Sequence, residues 1–161
     1  MKMSIAIRAE PKSKSPRLAA FNQLYKEMDK IYHRYARAHG LSDTHLWLLY
    51  SLRESQCHTQ REISAIWHAS PQTINSALKQ LERQGFIALS AMAGNRKNKR
   101  VALTQKGRQA TEQIIDPLMC AELRALQGLT PQQRQALIAS TERYVALLQQ
   151  EVGKLDAPPA P

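Results

Sequence analysis

The chain has 161 residues, room for one domain or a small domain with a dimerisation element, and at 43% hydrophobic residues it can fill a core. Its formal net charge of +10 favours a polyanionic partner: DNA, RNA or an anionic membrane surface. No apolar run reaches the ~18 residues of a membrane span, the N-terminus lacks the apolar core of a secretory signal, and Cys57 and Cys120 alone argue against a disulfide framework and for a reducing cytoplasm.

Residues 1–15 carry Lys2, Arg8, Lys12 and Lys14 among Ser and Pro without periodicity and read as a flexible basic arm. From Pro16 the pattern changes. Leu18, Phe21, Tyr25, Met28, Tyr32, Tyr35 and His39 step by threes and fours, and Leu24, Ile31 and Ala38 widen the stripe. Pro16 suits the first turn of that helix and Gly40 the left-handed position after its end. So broad a stripe on so long a helix needs a second long helix to cover it, which hints at dimerisation.

Ser42 caps a second predicted helix carrying Leu46, Trp47, Leu49, Tyr50 and Leu52. Thr59 with Glu62 three residues on forms a capping box for a third, in which Ile63 and Ile66 are expected to face inward and Trp67 to close the helix. His68-Ala69 make the turn. Ser70 caps a fourth helix with Pro71 at its first position, and Ile74, Ala77, Leu78 and Leu81 mark its buried face before Gly85 ends it. Phe86 to Met92 and Lys99 to Thr104 alternate as strands around the turn residues Ala93-Gly94-Asn95, with Arg96, Lys97, Lys99 and Arg100 crowding the hairpin loop. A long helix from Thr104 to about Leu126 uses Ile114, Ile115, Leu118, Cys120 and Leu123 as apolar positions, and Pro117 should kink it. Thr130 and Gln133 form another capping box, opening a last helix with Leu137, Ile138, Tyr144, Val145, Leu148 and Val152 expected inward and a flexible tail over 153–161.

The fold class expected is mainly α with a small β-hairpin wing: a winged helix-turn-helix over 42–104, flanked by long N- and C-terminal dimerisation helices over 16–40 and 105–152. The outward face of the fourth helix carries Gln72, Thr73, Asn75, Ser76, Lys79, Gln80 and Arg83. Short, polar, mostly uncharged side chains at a helix start suit base edges: Gln and Asn pair bidentately with adenine, and Ser and Thr meet either base type. The N-terminus at Ser70 adds backbone N–H groups and a partial positive charge for phosphate. An ordinary solvated face would carry Glu/Lys mixtures instead. The basic hairpin fits a wing lying along the backbone, with Arg96, Lys97 and Lys99 supplying affinity and little sequence information.

These residues carry a resemblance. Ser70-Pro71-Gln72-Thr73, then Leu78-Lys79-Gln80-Leu81-Glu82-Arg83-Gln84-Gly85-Phe86-Ile87, then Arg96-Lys97 and Val101-Ala102-Leu103-Thr104-Gln105-Lys106-Gly107 resemble the multiple antibiotic resistance regulator (MarR) family over about 16–152. The resemblance implies a homodimer on a pseudo-palindromic operator in double-stranded DNA, acting as a repressor released by a small ligand or oxidant. One departure stands out. The family's wing carries Asp-x-Arg, whereas this chain has Asn95 and Lys97 with Arg96 between. The orienting ion pair is absent, and both Arg96 and Lys97 remain candidates to enter the minor groove.

Other constellations carry less. Cys57-His58 lacks the further ligands a metal site needs, and Cys120 sits on an apolar helix face and reads as packing. The five histidines are scattered and read as surface or interface residues. No GxSxG, glycine-rich phosphate loop or paired carboxylate supports an enzyme, and no cofactor is implied. By the resemblance, a pocket for a small aromatic or acidic effector falls where the first two helices meet the fifth. Trp47, Tyr50 and Arg53 could line it, with Arg53 holding an acidic group; packing alone also explains them. The expected function is thus a cytoplasmic, sequence-specific DNA-binding regulator. The alternative is a winged helix that binds DNA without sequence preference or binds another protein.

Overall fold

The computed structural model describes residues 15–54, 58–67, 70–92 and 95–156, with the backbone alone at 58, 92, 95–98 and 156. The expected basic arm up to Lys14, Cys57, the His68-Ala69 turn, the hairpin residues Ala93-Gly94 and the tail beyond Asp156 lie outside the described residues. The chain divides into two compact units, 1–111 and 112–161.

In the first unit, α1 (Pro16–Ala38) starts on the Ser15 hydroxyl, which accepts from the Leu18 N–H, with Pro16 at the first position. It ends in a Schellman motif. Gly40 takes φ +69°, its N–H reaches the Arg37 carbonyl, and the Leu41 N–H reaches the Ala36 carbonyl; Ala36 and Leu41 are both buried. The long stripe is uncovered: Leu18, Phe21, Leu24, Tyr25, Met28 and Ile31 are all exposed.

Helix α2 (Asp43–Glu54) puts Leu46, Leu48, Leu49 and Leu52 into the core. Its first turn is held by Ser42, whose hydroxyl accepts from the His45 N–H at 3.2 Å. His45 itself is buried, 5% exposed, and hydrogen-bonds the Ala77 backbone, so the expectation of a surface or interface histidine is corrected here. It faces the core, not solvent.

A short strand β1 (His58–Thr59) runs into α3 (Gln60–Ile66). Thr59 serves both: it pairs with Arg100 in the sheet, and its hydroxyl accepts from the Glu62 N–H while Glu62 accepts from the Thr59 N–H. Ile63 is fully buried, but Ile66 is 54% exposed, so only one of the two expected inward positions is. Ile66 shares the face of Ile63 but is the last residue of α3 and is left to solvent there.

Helix α4 (Pro71–Arg83) is followed by β2 (Ile87–Met92) and β3 (Asn95–Leu103). The sheet is three-stranded and antiparallel in the order β1-β3-β2, so the expected hairpin gains a third strand. Ile87 opposes Leu103 and Leu89 opposes Val101 on one face; Ala88 opposes Ala102 and Ser90 opposes Arg100 on the other. That alternation buries Ile87 and Val101 against the core.

Helix α5 (Gln105–Ala110), capped by Thr104, leads into a π-helical turn (Thr111–Ile115) and α6 (Asp116–Gln127). The disturbance expected at Pro117 is this π turn: proline has no N–H and its ring crowds the carbonyl four residues back, inside Thr111–Ile115. The second unit begins within the turn. In it Ile115 and Leu118 are buried, whereas Cys120 and Leu123 are exposed, which corrects the packing role expected for Cys120. Thr130 and Gln133 exchange both capping-box hydrogen bonds, at 2.9 and 3.2 Å, and open α7 (Pro131–Asp156), which continues past the expected end at Val152. Leu137, Ile138, Val145, Leu148 and Val152, expected inward, are exposed on α7. One chain does not bury this face.

Candidate nucleic-acid interface

The first turn of α4 is built by Ser70. Its hydroxyl accepts from the Thr73 N–H at 3.1 Å and lies 2.8 Å from the Thr73 hydroxyl. Both hydroxyls are thus engaged in the cap, a structural use the residue pattern showed only for Ser70. The helix end is as closely specified: Gly85 at φ +78° lets its N–H reach the Glu82 carbonyl and the Phe86 N–H reach the Leu81 carbonyl.

Between these ends, Ile74, Ala77, Leu78 and Leu81 are buried. Gln72, Thr73, Ser76, Lys79, Gln80 and Arg83 are exposed, while Asn75 is half-buried at the flank. The polar face sits directly opposite the core face, as helical periodicity demands. Gln72, Ser76, Lys79 and Arg83 therefore lie furthest round from the core face.

The hairpin departs from the expected loop. Lys99 opposes Ala91 and Arg100 opposes Ser90, so both belong to the ladder. The next pair is Met92 with Asn95, and the register jumps between Ala91 and Met92. Residues 96–98 are the extra residues of β3 at that jump, which makes Asn95 to Lys99 part of an irregular strand and not an open loop. Arg96 and Lys97 lie in that bulge by backbone position. Lys99 is half-buried and Arg100 exposed.

Of the three residues expected around one effector pocket, Trp47 and Tyr50 stay together and Arg53 lines a different cavity. Trp47 stacks with Tyr50 (ring centroids 5.5 Å apart), Tyr32 (4.7 Å) and Trp67 (5.8 Å). Trp67 also donates its indole N–H to the Ser51 hydroxyl at 3.2 Å. A cavity of about 210 Å³ opens here, with Trp47, Trp67, Thr73 and Ile74 in its wall. Arg53 instead lines a cavity of about 300 Å³ with Leu52, Val101, Leu103 and Arg108. Arg108 and Trp67 were absent from the expected set, because only the folded sheet brings α5 and the end of α3 beside α2.

Residues 41–99 match the model of the MarR family. The match spans α2 through most of β3, and thus the whole polar helix face. The chain is also similar in fold to MepR of S. aureus, solved as a MepR–DNA complex (TM-score 0.72, 19% identity, covering 84% of this chain and 100% of that chain). A MarR-family regulator of Neisseria meningitidis, NMB1585, gives a TM-score of 0.74 at 16% identity over 87% of this chain and 99% of its own. AbsC, a MarR-family transcriptional regulator of Streptomyces coelicolor, gives 0.72 at 14% identity over 88% and 99%. No curated protein sequence matches the chain. Among the described residues no helix is long and apolar enough to cross a membrane, and no group of His, Cys, Asp or Glu could hold a metal ion.

Proposed function

We propose that the chain is a DNA-binding transcriptional regulator whose α4 reads base edges in the major groove. The observation that carries this is the exposed, mostly uncharged polar face of α4, held opposite the buried Ile74, Leu78 and Leu81. Gln72, Thr73, Asn75, Ser76, Lys79 and Gln80 are the readers in this proposal, with Ser70 presenting the helix N-terminus. Arg96, Lys97 and Lys99 engage backbone and minor groove. The net charge of +10 supports a polyanionic partner.

The active form is a homodimer in the cytoplasm, repressing transcription from a pseudo-palindromic operator. The uncovered apolar residues of α1, and separately those of α7, support the dimer, since faces of this size are seldom left to water. A small acidic or aromatic effector releases the DNA. An acidic group would meet Arg53, with Arg108 in the same cavity, and an aromatic group would meet the separate surface of Trp47 and Tyr50.

Selection of bound sequences from a random duplex pool tests the reading. A palindromic consensus with half-sites about one helical turn apart supports both dimer and base reading. Salt-sensitive binding without a consensus would reduce the function to non-specific DNA binding, and no binding at all would leave a protein-interaction module.

A further inference from the structure

The segment that follows the wing does more than start a helix. Between the last turn of α4 and the first residue of β2 lie only Gln84, Gly85 and Phe86, and each of their carbonyls is held from across the wing's base. The Lys106 ammonium donates to the Gln84 carbonyl at 2.7 Å. The Thr104 hydroxyl donates to the Gly85 carbonyl at 2.6 Å, and the Thr104 N–H to the Phe86 carbonyl at 3.0 Å. The same hydroxyl accepts from the Gly107 N–H at 3.0 Å, so its donor and acceptor roles are both used. Lys106 also lies 4.9 Å from the centre of the Phe86 ring, and its charge faces the negative end of the α4 dipole. Gly107 completes the contact, because a Cβ there would overlap the Phe86 carbonyl.

A helix and a hairpin joined by three residues, one of them glycine in the left-handed region, are tied at that link by these bonds and, beyond it, by the Leu89 N–H, which donates to the Glu82 carboxylate at 3.2 Å. We propose that Thr104 and Lys106 are positioning residues that lock the wing at a fixed angle to α4, so that base reading and wing contacts are made as one rigid unit. The proposal rests on the DNA-binding reading only for its consequence, not for its geometry. A pre-set angle spares the wing the ordering cost it would otherwise meet on every binding event.

Two measurements on the full-length protein test it separately. Residual dipolar couplings from α4 and from the β2–β3 hairpin should fit one alignment tensor in the native protein and in Thr104→Ser and Lys106→Arg. They should need two in Thr104→Val/Lys106→Met, while the α2 and α3 amides keep their native dispersion. One shared tensor in the double variant overturns the proposal whether or not the protein binds DNA. On the selected duplex, Thr104→Val/Lys106→Met should bind on the order of tenfold more weakly than native. In that background Lys99→Ala should cost little further affinity, and Gln72→Ala should cost as much as it does in the native chain. Two tensors with unchanged affinity would overturn the coupling to binding. If the native protein bound no duplex, the DNA-binding reading would fall and the couplings alone would judge the lock.

Discussion

The carbonyl oxygen of Phe86 occupies the space that a side chain on Gly107 would need. The two residues are far apart in the chain, yet the start of α5 rests on the link between α4 and β2 at this point. Gly107→Ala should therefore destabilise the fold by about 1–3 kcal/mol through overpacking against backbone. Gly153, in α7, is open by contrast: a Cβ added there would meet nothing within 4 Å. Gly153→Ala should stabilise by about 0.5–1 kcal/mol through helix propensity. Urea denaturation of the two variants checks the opposite signs.

Ser70 is a cap before it is a DNA contact. Its hydroxyl holds the Thr73 N–H, so Ser70→Ala should cost about 1 kcal/mol of stability. Ser70→Asp, which keeps the acceptor, should restore stability while weakening binding to duplex DNA through its charge. Thermal melts paired with binding titrations would separate the two roles; equal stability in Ser70→Ala and native would refute the cap.

Replacing Gln72 or Asn75 with Ala should cost on the order of 1–3 kcal/mol on the preferred duplex and relax preference at one position. Gln72 should show the larger loss, because Asn75 is half-buried at the flank of the face. Replacing Lys97 should weaken binding to all sequences alike and reduce the slope of log affinity against log salt by roughly 0.9 for one lost phosphate contact. Titrations on specific and random duplexes at several salt concentrations check both. Identical behaviour of the two classes of variant would contradict the division between reading helix and wing.

His45 gives the fold a pH dependence. Burial lowers its pKa below the ordinary 6.5, outweighing the opposite pull of its hydrogen bond to the Ala77 backbone. The native state thus keeps His45 neutral while the unfolded chain takes up a proton near 6.5. The unfolded state binds more protons as pH falls, so His45's contribution is fully present above 6.5 and is lost progressively below it, down to the folded-state pKa. His45→Gln should be less stable than native at neutral pH, and the gap should narrow as the solution is acidified through the ordinary histidine range. Chemical denaturation at a series of pH values measures it. A gap independent of pH would mean that His45 titrates alike in both states.

The uncovered apolar residues of α1 predict association. Ile31 is 54% exposed and Leu24 64% exposed in the single chain. Leu24→Glu/Ile31→Glu should shift the protein toward monomer in analytical ultracentrifugation and weaken binding to a palindromic duplex more than to a half-site. An unchanged sedimentation coefficient would show that the α1 face is not the interface.

The order of elements and most of their ends were legible in the sequence, because local chemistry writes them. Pro16 and Ser70-Pro71 start helices, Thr59 with Glu62 and Thr130 with Gln133 close capping boxes, and Gly40 and Gly85 supply the left-handed residue that ends one. The periodic spacing of Ile74, Leu78 and Leu81 likewise placed the polar face of α4 before any contact was known. Periodicity says which side of a helix is apolar, but not what covers it. The stripes of α1 and α7 looked alike to buried faces, and only the folded chain leaves them exposed. Burial of His45, the strand at His58–Thr59, the bulge over 96–98 and the meeting of Arg53 with Arg108 all depend on residues distant in sequence coming together. The hold of Thr104 and Lys106 on the Gln84–Phe86 link is of the same kind. A Leu-Thr-x-x-Gly run announces a helix start, and tertiary packing alone decides which carbonyls its side chains can reach.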